Sequence, residues 1–347
     1  MSWIRRLGCS HAVIGPITIN SELDIHLDDQ YLKYNWKVAG RMTRGLKSRS
    51  GTVKTLLYLD FALGNFTSTE DLDFAKLEKK LSAVFNFNGF VLKIPEEDFV
   101  DDFLNFVKKL KSFFVGFQID VEITSMTSMK SLFGMEEVFD NFYVNVDKEI
   151  PFRNSSIFDE YRLVDPLFPN SEILSNETIS GLVNKVASLI EPHRLIVGLS
   201  SLARGIIANN ETNFDRGQDW LLEKNMTLKQ YESTDGRFSL QEICEPLILV
   251  PIKEDESTMT NYFLDRNQNW FSLNAPYSTV TYSKLRWIIG EGVAGIGISD
   301  LTADDPNSDC RYGKFPLLRF LSSNFDCKFT ARSQVKRSVC GKFLPIL

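Results

Sequence analysis

Two hydrophobic periods alternate along this chain. Thr52–Asp60 (TVKTLLYLD), Asn88–Ile94 (NGFVLKI), Gly116–Ile123 (GFQIDVEI), Phe142–Asp147 (FYVNVD), Leu195–Ser200 and Ala294–Asp300 read as strands, since they alternate or stay apolar over strand length. Between them run stripes at helical spacing. Phe74, Leu77, Leu81, Val84 and Phe85 form the first; Phe99, Phe103, Phe106, Val107, Leu110 and Phe113 form the second. Further helices are predicted near Ile179–Ile190 and Ser283–Ile289. Ser68 with Asp71 predicts a capping box ahead of the first stripe, and the second is acidic at its start and basic at its end, as a helix dipole favours. Strands alternating with helices predict a parallel sheet, and this many units predict a closed (β/α)8 barrel.

From Gly205 to Asn274 the pattern is less regular and more polar, which predicts a small α+β insertion. The expected organisation is a barrel over 1–204, the insertion over 205–275, and a last barrel unit with a C-terminal extension over 276–347. A chain of 347 residues with 43% hydrophobic content can fill such a core as one domain. A net charge of −6 with no basic stripe argues against a nucleic-acid partner. The densest cationic patch, Lys108–Lys111, reads as a solvated helix end.

No apolar run is long enough to span a bilayer; the longest, Leu247–Ile252, has strand length and contains Pro251. The opening MSWIRRLGCSH carries charge but no apolar signal core, so a signal peptide is expected to have been removed or that route not used. Five sequons, at Asn65, Asn154, Asn176, Asn210 and Asn225, point instead to a secreted glycoprotein.

Neither a metal nor a cofactor is expected. His11, His26 and His193 lack ligand spacing. Asp304, Asp305, Asn307 and Asp309 lack the spacing of a calcium loop and read as an acidic loop. Gly290, Gly292, Gly295 and Gly297 surround a strand without dinucleotide-binding spacing. Trp220, Trp270 and Tyr277 read as exposed aromatics able to stack on sugar rings, with packing as the plainer reading.

Several segments, in order, resemble glycoside hydrolase family 18, the chitinases and chitinase-like lectins. Cys9-Ser10-His11 is similar to the family's Cys-Thr-His on its second strand. Leu46-Lys47 with Lys54–Leu57 resembles the third strand, Leu163–Phe168 (LVDPLF) the Ser-Pro-Leu-Tyr segment, and Leu195–Leu199 the seventh strand. Leu240–Cys244 (LQEIC) resembles Tyr-Glu-Ile-Cys, and Cys310 with Gly313–Leu318 resembles the closing Cys…Gly-Lys-Phe-Pro-Leu. The resemblance covers most of the chain and implies a TIM barrel.

Its departures fall on the family's active site. Where the fourth strand reads Asp-Gly-x-Asp-x-Asp-x-Glu, the four acidic positions hold Asn88, Val91, Lys93 and Pro95. Asp60-Phe61 replaces Gly-Gly, Val144–Asp147 replaces Met-x-Tyr-Asp with the aspartate kept, and Leu202-Ala203 replaces Tyr-Gly. Gly297 stands where the family has a tryptophan flooring the sugar site. A general acid for glycoside cleavage needs a carboxyl of raised pKa, which none of these positions supplies. The resemblance thus implies an inactive protein acting by binding, to a chitin-type glycan or a protein receptor, or else an interaction protein whose plugged barrel binds no sugar.

With inward faces as in the family, the lumen holds Lys93, Gln118, Asp120, Glu122, Tyr143, Asn145 and Asp147, with Gly295, Gly297 and Ser299 on the last strand. The opposite assignment would bury the acids of Gly116–Ile123 against helices without partners. Lys93 is expected to pair with Asp120 or Asp147. The family's first strand, Val-Cys-Tyr-Tyr, has no counterpart ahead of Cys9, whereas Val335–Phe343 (VKRSVCGKF) resembles it. This implies a circular permutation with disulfides Cys9–Cys340 and Cys244–Cys310, leaving Cys327 over. A truncated product, or a Cys327–Cys340 bridge in a dangling tail, are the alternatives.

Overall fold

The computed structural model describes residues 9–19, 40–41, 43–44, 53–61, 73–94, 100–124, 134–146, 163–169, 175–206, 237–266, 270–325 and 343–344. Eight strands form one parallel sheet: β1 (His11–Ile19), β2 (Lys54–Phe61), β3 (Gly89–Lys93), β4 (Gln118–Thr124), β5 (Phe142–Asn145), β6 (Leu195–Ser200), β12 (Gly295–Ser299) and β13 (Phe343–Leu344). Their spatial order is β12-β6-β5-β4-β3-β2-β1-β13, and β13 also touches β12, so the sheet curls into a (β/α)8 barrel. The strand beside β1 comes from residues 343–344, which pair in parallel as Val13↔Phe343 and Ile14↔Leu344. The slot of the family's first strand is thus filled from the far end of the sequence, and neighbours around the barrel follow chain order throughout.

Helices α1 (Phe74–Val84), α2 (Val100–Phe113), α3 (Ile179–Ala187), α5 (Thr279–Gly290) and α6 (Pro316–Phe325) belong to the barrel units. The alternation that predicted the strands decides which side chains meet them. Leu57, Leu59, Phe90, Leu92, Ile119, Val121 and Ile123 join Leu77, Leu81, Phe103, Phe106, Leu110, Leu182, Val186, Leu285 and Ile288 in one buried core. Each such side chain contributes about 1.5–3 kcal/mol by leaving water. The opposite face closes the waist of the lumen with Val13, Leu56, Tyr58, Val91, Tyr143, Ile196 and Ala294.

Local signals set the helix ends with two corrections. Asp73 caps α1, accepting from Lys76 N at 2.9 Å, while Ser68 and Asp71 lie outside the described residues. The basic end of α2 is not simply solvated: Lys111 donates to Val138 O at 2.8 Å and reaches Asp140 Oδ1 at 3.2 Å, fastening the helix to the turn before β5. Thr178 caps α3 through Gly181 N, and Ser278 caps α5 through Thr281 N.

A second, antiparallel sheet of order β8-β7-β11-β10-β9 is built from β7 (Ala203–Ile206), β8 (Arg237–Phe238), β9 (Lys253–Asp255), β10 (Thr260–Leu264) and β11 (Trp270–Leu273). Phe238, Phe263, Phe271 and Leu273 pack under it with α4 (Cys244–Leu249). The apolar run Leu247–Ile252 therefore begins in a helix. Cys244 and Cys310 form a disulfide, with a Cα–Cα distance of 4.9 Å. The Asp304–Asp309 segment is no solvated acidic loop. Asp304 and Asp305 are buried, the first accepting from Leu317 N and Leu318 N at the start of α6, the second from Asp309 N and Cys310 N. Their charges are held by helix-start and turn amides, which is why two adjacent acids can be interior.

Candidate functional site

Barrels of this kind place their chemistry at the C-terminal ends of the strands. At that mouth β2 and β3 present Asp60 and Lys93, whose charged atoms lie 3.8 Å apart with side chains about a third exposed (35% and 27%). The expected pairing of Lys93 with Asp120 is thus corrected. Asp60 is the next lumen-facing position beyond Tyr58 on the neighbouring strand, whereas Asp120 pairs in register with Val91, one tier deeper than Lys93. Of the four degenerate acid positions, Val91 is fully buried in the waist and Asn88 serves the backbone, its Oδ1 accepting from Thr55 N at 2.9 Å. Pro95 and Asp147 lie outside the described residues.

Beside Lys93 on the next strand, and in register with it, sits Glu122, 2% exposed. Tyr58 Oη donates to its Oε2 and Asn145 Nδ2 to its Oε1, both at 2.5 Å. Hydrogen bonds to a charged group contribute about 1.5–3 kcal/mol each, so these two neutral donors hold the carboxylate in place. Asn145 reaches it because Gly198 on β6 has no side chain: the carboxamide lies where a Cβ at that position would stand. Gly297 pairs with Gly198 in register, so two neighbouring strands turn glycines to the lumen at this level.

A second polar tier lies toward the N-terminal ends of the strands. Asp120 is fully buried and accepts from Gln118 Nε2 at 2.7 Å, Asn141 N at 3.0 Å and Asn141 Nδ2 at 2.9 Å. Gln118 Oε1 in turn meets Lys54 Nζ and His11 Nε2, each at 3.1 Å. Burial raises the Asp120 carboxyl to about 7, against the lowering effect of its donors. Burial, and then the charge of Asp120, push the Tyr143 phenol well above its ordinary range. Tyr143 fills the lumen at the waist, in register with Glu122.

A network not foreseen from the sequence links the mouth to the antiparallel sheet. Asp165 Oδ2 accepts from Ser200 N at 2.6 Å and from Asn274 Nδ2 at 2.5 Å, and Lys284 Nζ, fully buried on α5, donates to Asn274 Oδ1 at 2.8 Å. Alongside, Val164 N donates to Ser272 Oγ, and Ser272 Oγ to Asn261 O. The LVDPLF segment is therefore a stitch between β6, β11 and α5. Of the aromatics, Trp270 is buried and stacks on Tyr262, Tyr277 is half exposed against Phe320, and Trp220 is outside the described residues. So are Cys327, Cys340 and the sequons other than Asn176, which sits in a short helical turn at Ser175–Glu177.

The molecule is a (β/α)8 barrel whose mouth is polar and walled by an inserted antiparallel sheet. No family model matches the chain. It is 25% identical over 325 residues to a chitinase-like protein of Caenorhabditis elegans, covering 90% of this chain but 29% of that protein, so it spans under a third of its relative's length. Among solved structures it is similar to catalytic domain 2 of the Ostrinia furnacalis group II chitinase, with a TM-score of 0.73, 18% identity and coverage of 93% and 90% of the two chains. It is likewise similar to human YKL-39, described as a pseudo-chitinase with retained chitooligosaccharide binding, with a TM-score of 0.71, 14% identity and 92% coverage of both. The chain is thus similar in sequence to a chitinase-like protein and shares the (β/α)8 fold of these chitinases.

Proposed function

We propose that this protein is a catalytically inactive chitinase-like glycoprotein that binds a chitin-type oligosaccharide at the mouth of its barrel. One observation carries the reading. Among the described residues, β3 turns no carboxyl into the lumen: Val91 is buried in the waist, and Lys93 is paired with Asp60. The carboxyls of the next strand do not replace it. Glu122 is held by Tyr58 and Asn145, and Asp120, in register with Val91 of the waist, is fully buried among amide donors. A proton donor needs hydrogen-bond reach to the leaving oxygen, and neither acid faces the exposed mouth. What stays partly exposed there is the Lys93–Asp60 pair, polar chemistry suited to hydroxyl and amide groups. The retained oligosaccharide binding described for YKL-39 supports the binding half of the reading.

The experiment is a paired titration and product assay of the disulfide-intact protein with chito-oligosaccharides. Saturable binding with no shortened products is the expected result, and hydrolysis at any protein-dependent rate would overturn it. A second reading, a plugged barrel that binds no sugar, draws on the waist, where Tyr58, Val91, Tyr143 and Ile196 fill the lumen. Absence of binding would favour that reading and move the search to a protein receptor. The five sequons support secretion; loss of mass on N-glycosidase treatment of the secreted chain is the check.

A further inference from the structure

Charge alternates along one row of strands at the mouth. The registers Leu59↔Leu92 and Lys93↔Glu122 set Asp60, Lys93 and Glu122 side by side on β2, β3 and β4: negative, positive, negative. Lys93 is thus an amine between two carboxyls, with its Nζ 3.8 Å from Asp60 Oδ2 and Glu122 as its neighbour in register. The two acids are not equivalent. Both oxygens of Glu122 accept hydrogen bonds, from Tyr58 and Asn145, and the residue is 2% exposed. Asp60 keeps 35% of its side chain in solvent, and its contact with Lys93 is ionic, longer than a hydrogen bond.

Two carboxyls against one amine leave this row with an excess of negative charge. The described rim beside it has the same sign. In a barrel each helix starts at the end where its strand finishes. The helix after β3, α2, opens with the exposed Asp101 and Asp102, and the helix after β2, α1, is capped by the exposed Asp73, offset by Lys76 in the same turn. A cleft lined by one sign of charge raises the local concentration of ligands of the other sign. Such a mouth gives a neutral sugar no electrostatic gain and repels an anionic one. A sugar carrying a protonated amine is drawn in.

Resting on the reading of the mouth as an oligosaccharide site, we propose that its ligand is a partly deacetylated chitin-type chain, with a free 2-ammonium group set against Asp60. Loss of the acetyl group turns a neutral amide into an amine that carries a proton, on the same backbone of sugar rings. Asp60 is the carboxyl of the row that solvent reaches, so it can take that ammonium without losing a buried hydrogen bond. An anionic sugar would have Lys93 alone to pair with, between two carboxyls. Lys93 acts as a specificity residue, since its charge opposes a second cation beside it and so limits the preference.

The test is calorimetric titration of the disulfide-intact chain with glucosamine and N-acetylglucosamine oligomers of equal length. The glucosamine oligomer is expected to bind about 5- to 10-fold more tightly at about 20 mM salt, with the gap closing as salt approaches about 500 mM. Asp60→Asn should abolish that preference, and Lys93→Met should widen it; a preference unmoved by the first or narrowed by the second overturns the proposal. Glu245→Gln removes the same charge from an exposed position on α4 and separates contact from net charge. It should leave the preference as it is, and a loss equal to that of Asp60→Asn would sink the assignment to Asp60. Equal or tighter binding of the acetylated oligomer by the wild type overturns the proposal but leaves the mouth an oligosaccharide site. Binding of neither oligomer overturns the oligosaccharide reading itself, and the proposal with it.

Discussion

Replacing Asp120 by asparagine separates the electrostatic load on the barrel's inner tier from its packing. In the wild type this carboxyl titrates near 7 in the folded state against 3.8 in its unperturbed form, because burial disfavours its charge. The folded state thus holds a proton that the unfolded chain releases between those values. The associated stability is fully present below pH 3.8 and is lost as pH rises through about 7. Integrated over the window, the loss is at most about 4 kcal/mol. The Asp120→Asn chain carries no such charge, but its carboxamide turns an N–H toward Gln118 Nε2, whose partner oxygen is already taken by Lys54 and His11. That mismatch costs ~1–3 kcal/mol at every pH. In urea melts at pH 5 the variant should therefore be the less stable chain, and by pH 8 the gap should close or reverse. Stability curves that run parallel from pH 4.5 to 8 would refute the claim that Asp120 is charged against burial.

Three further outcomes are expected. Gly198→Ala puts a methyl where the Asn145 carboxamide lies, so Glu122 loses that donor and thermal unfolding should show a loss of ~1–3 kcal/mol. Asp165→Ala leaves Ser200 N and Asn274 without their shared acceptor deep between barrel and sheet; a loss of about 3–5 kcal/mol is expected in denaturant melts, with Asp165→Asn losing less. Replacing both Cys244 and Cys310 by serine should lower stability by ~2–5 kcal/mol, and a reducing agent should then leave the melting temperature of that variant unchanged if no other disulfide stabilises the chain. A further drop on reduction would instead support the proposed Cys9–Cys340 bridge.

The fold was legible because alternation is a local property. Phe90 and Leu92 face helices while Val91 faces the lumen, and no partner needs to be known to read that from NGFVLK. The sides of Glu122 and Asn145 were legible for the same reason. Their partners were not, because a period gives a face and not a register. Lys93 meets Asp60 only because β2 and β3 are aligned as Tyr58↔Val91, an offset that nothing within either strand encodes. The Asp165–Asn274–Lys284 network was hidden more deeply, since Asp165 and Asn274 are 109 residues apart and each looks like an ordinary turn or loop polar residue. Asp304 and Asp305 misled for a related reason: a run of acids reads as solvated until backbone amides 13 residues on are seen to converge on it.

Two carboxyls on one strand raise the question whether β4 has taken over the chemistry that β3 lacks. Glycosidases with paired acids hold them on opposite sides of the scissile bond, so both must open on the same cleft. Asp120 and Glu122 share a face but not a level. Asp120 is fully buried in register with Val91 of the waist, and Glu122 is pinned by Tyr58 from β2 and Asn145 from β5. Turning Glu122 toward a sugar would break two charge-assisted hydrogen bonds, at ~1.5–3 kcal/mol each, before any substrate contact formed. The second acid is fully buried and held by three donors of its own. On the proposed reading the acids of β4 act as braces, linking β2, β4 and β5 beside a mouth whose partly exposed charges, among the described residues, include Lys93 and Asp60.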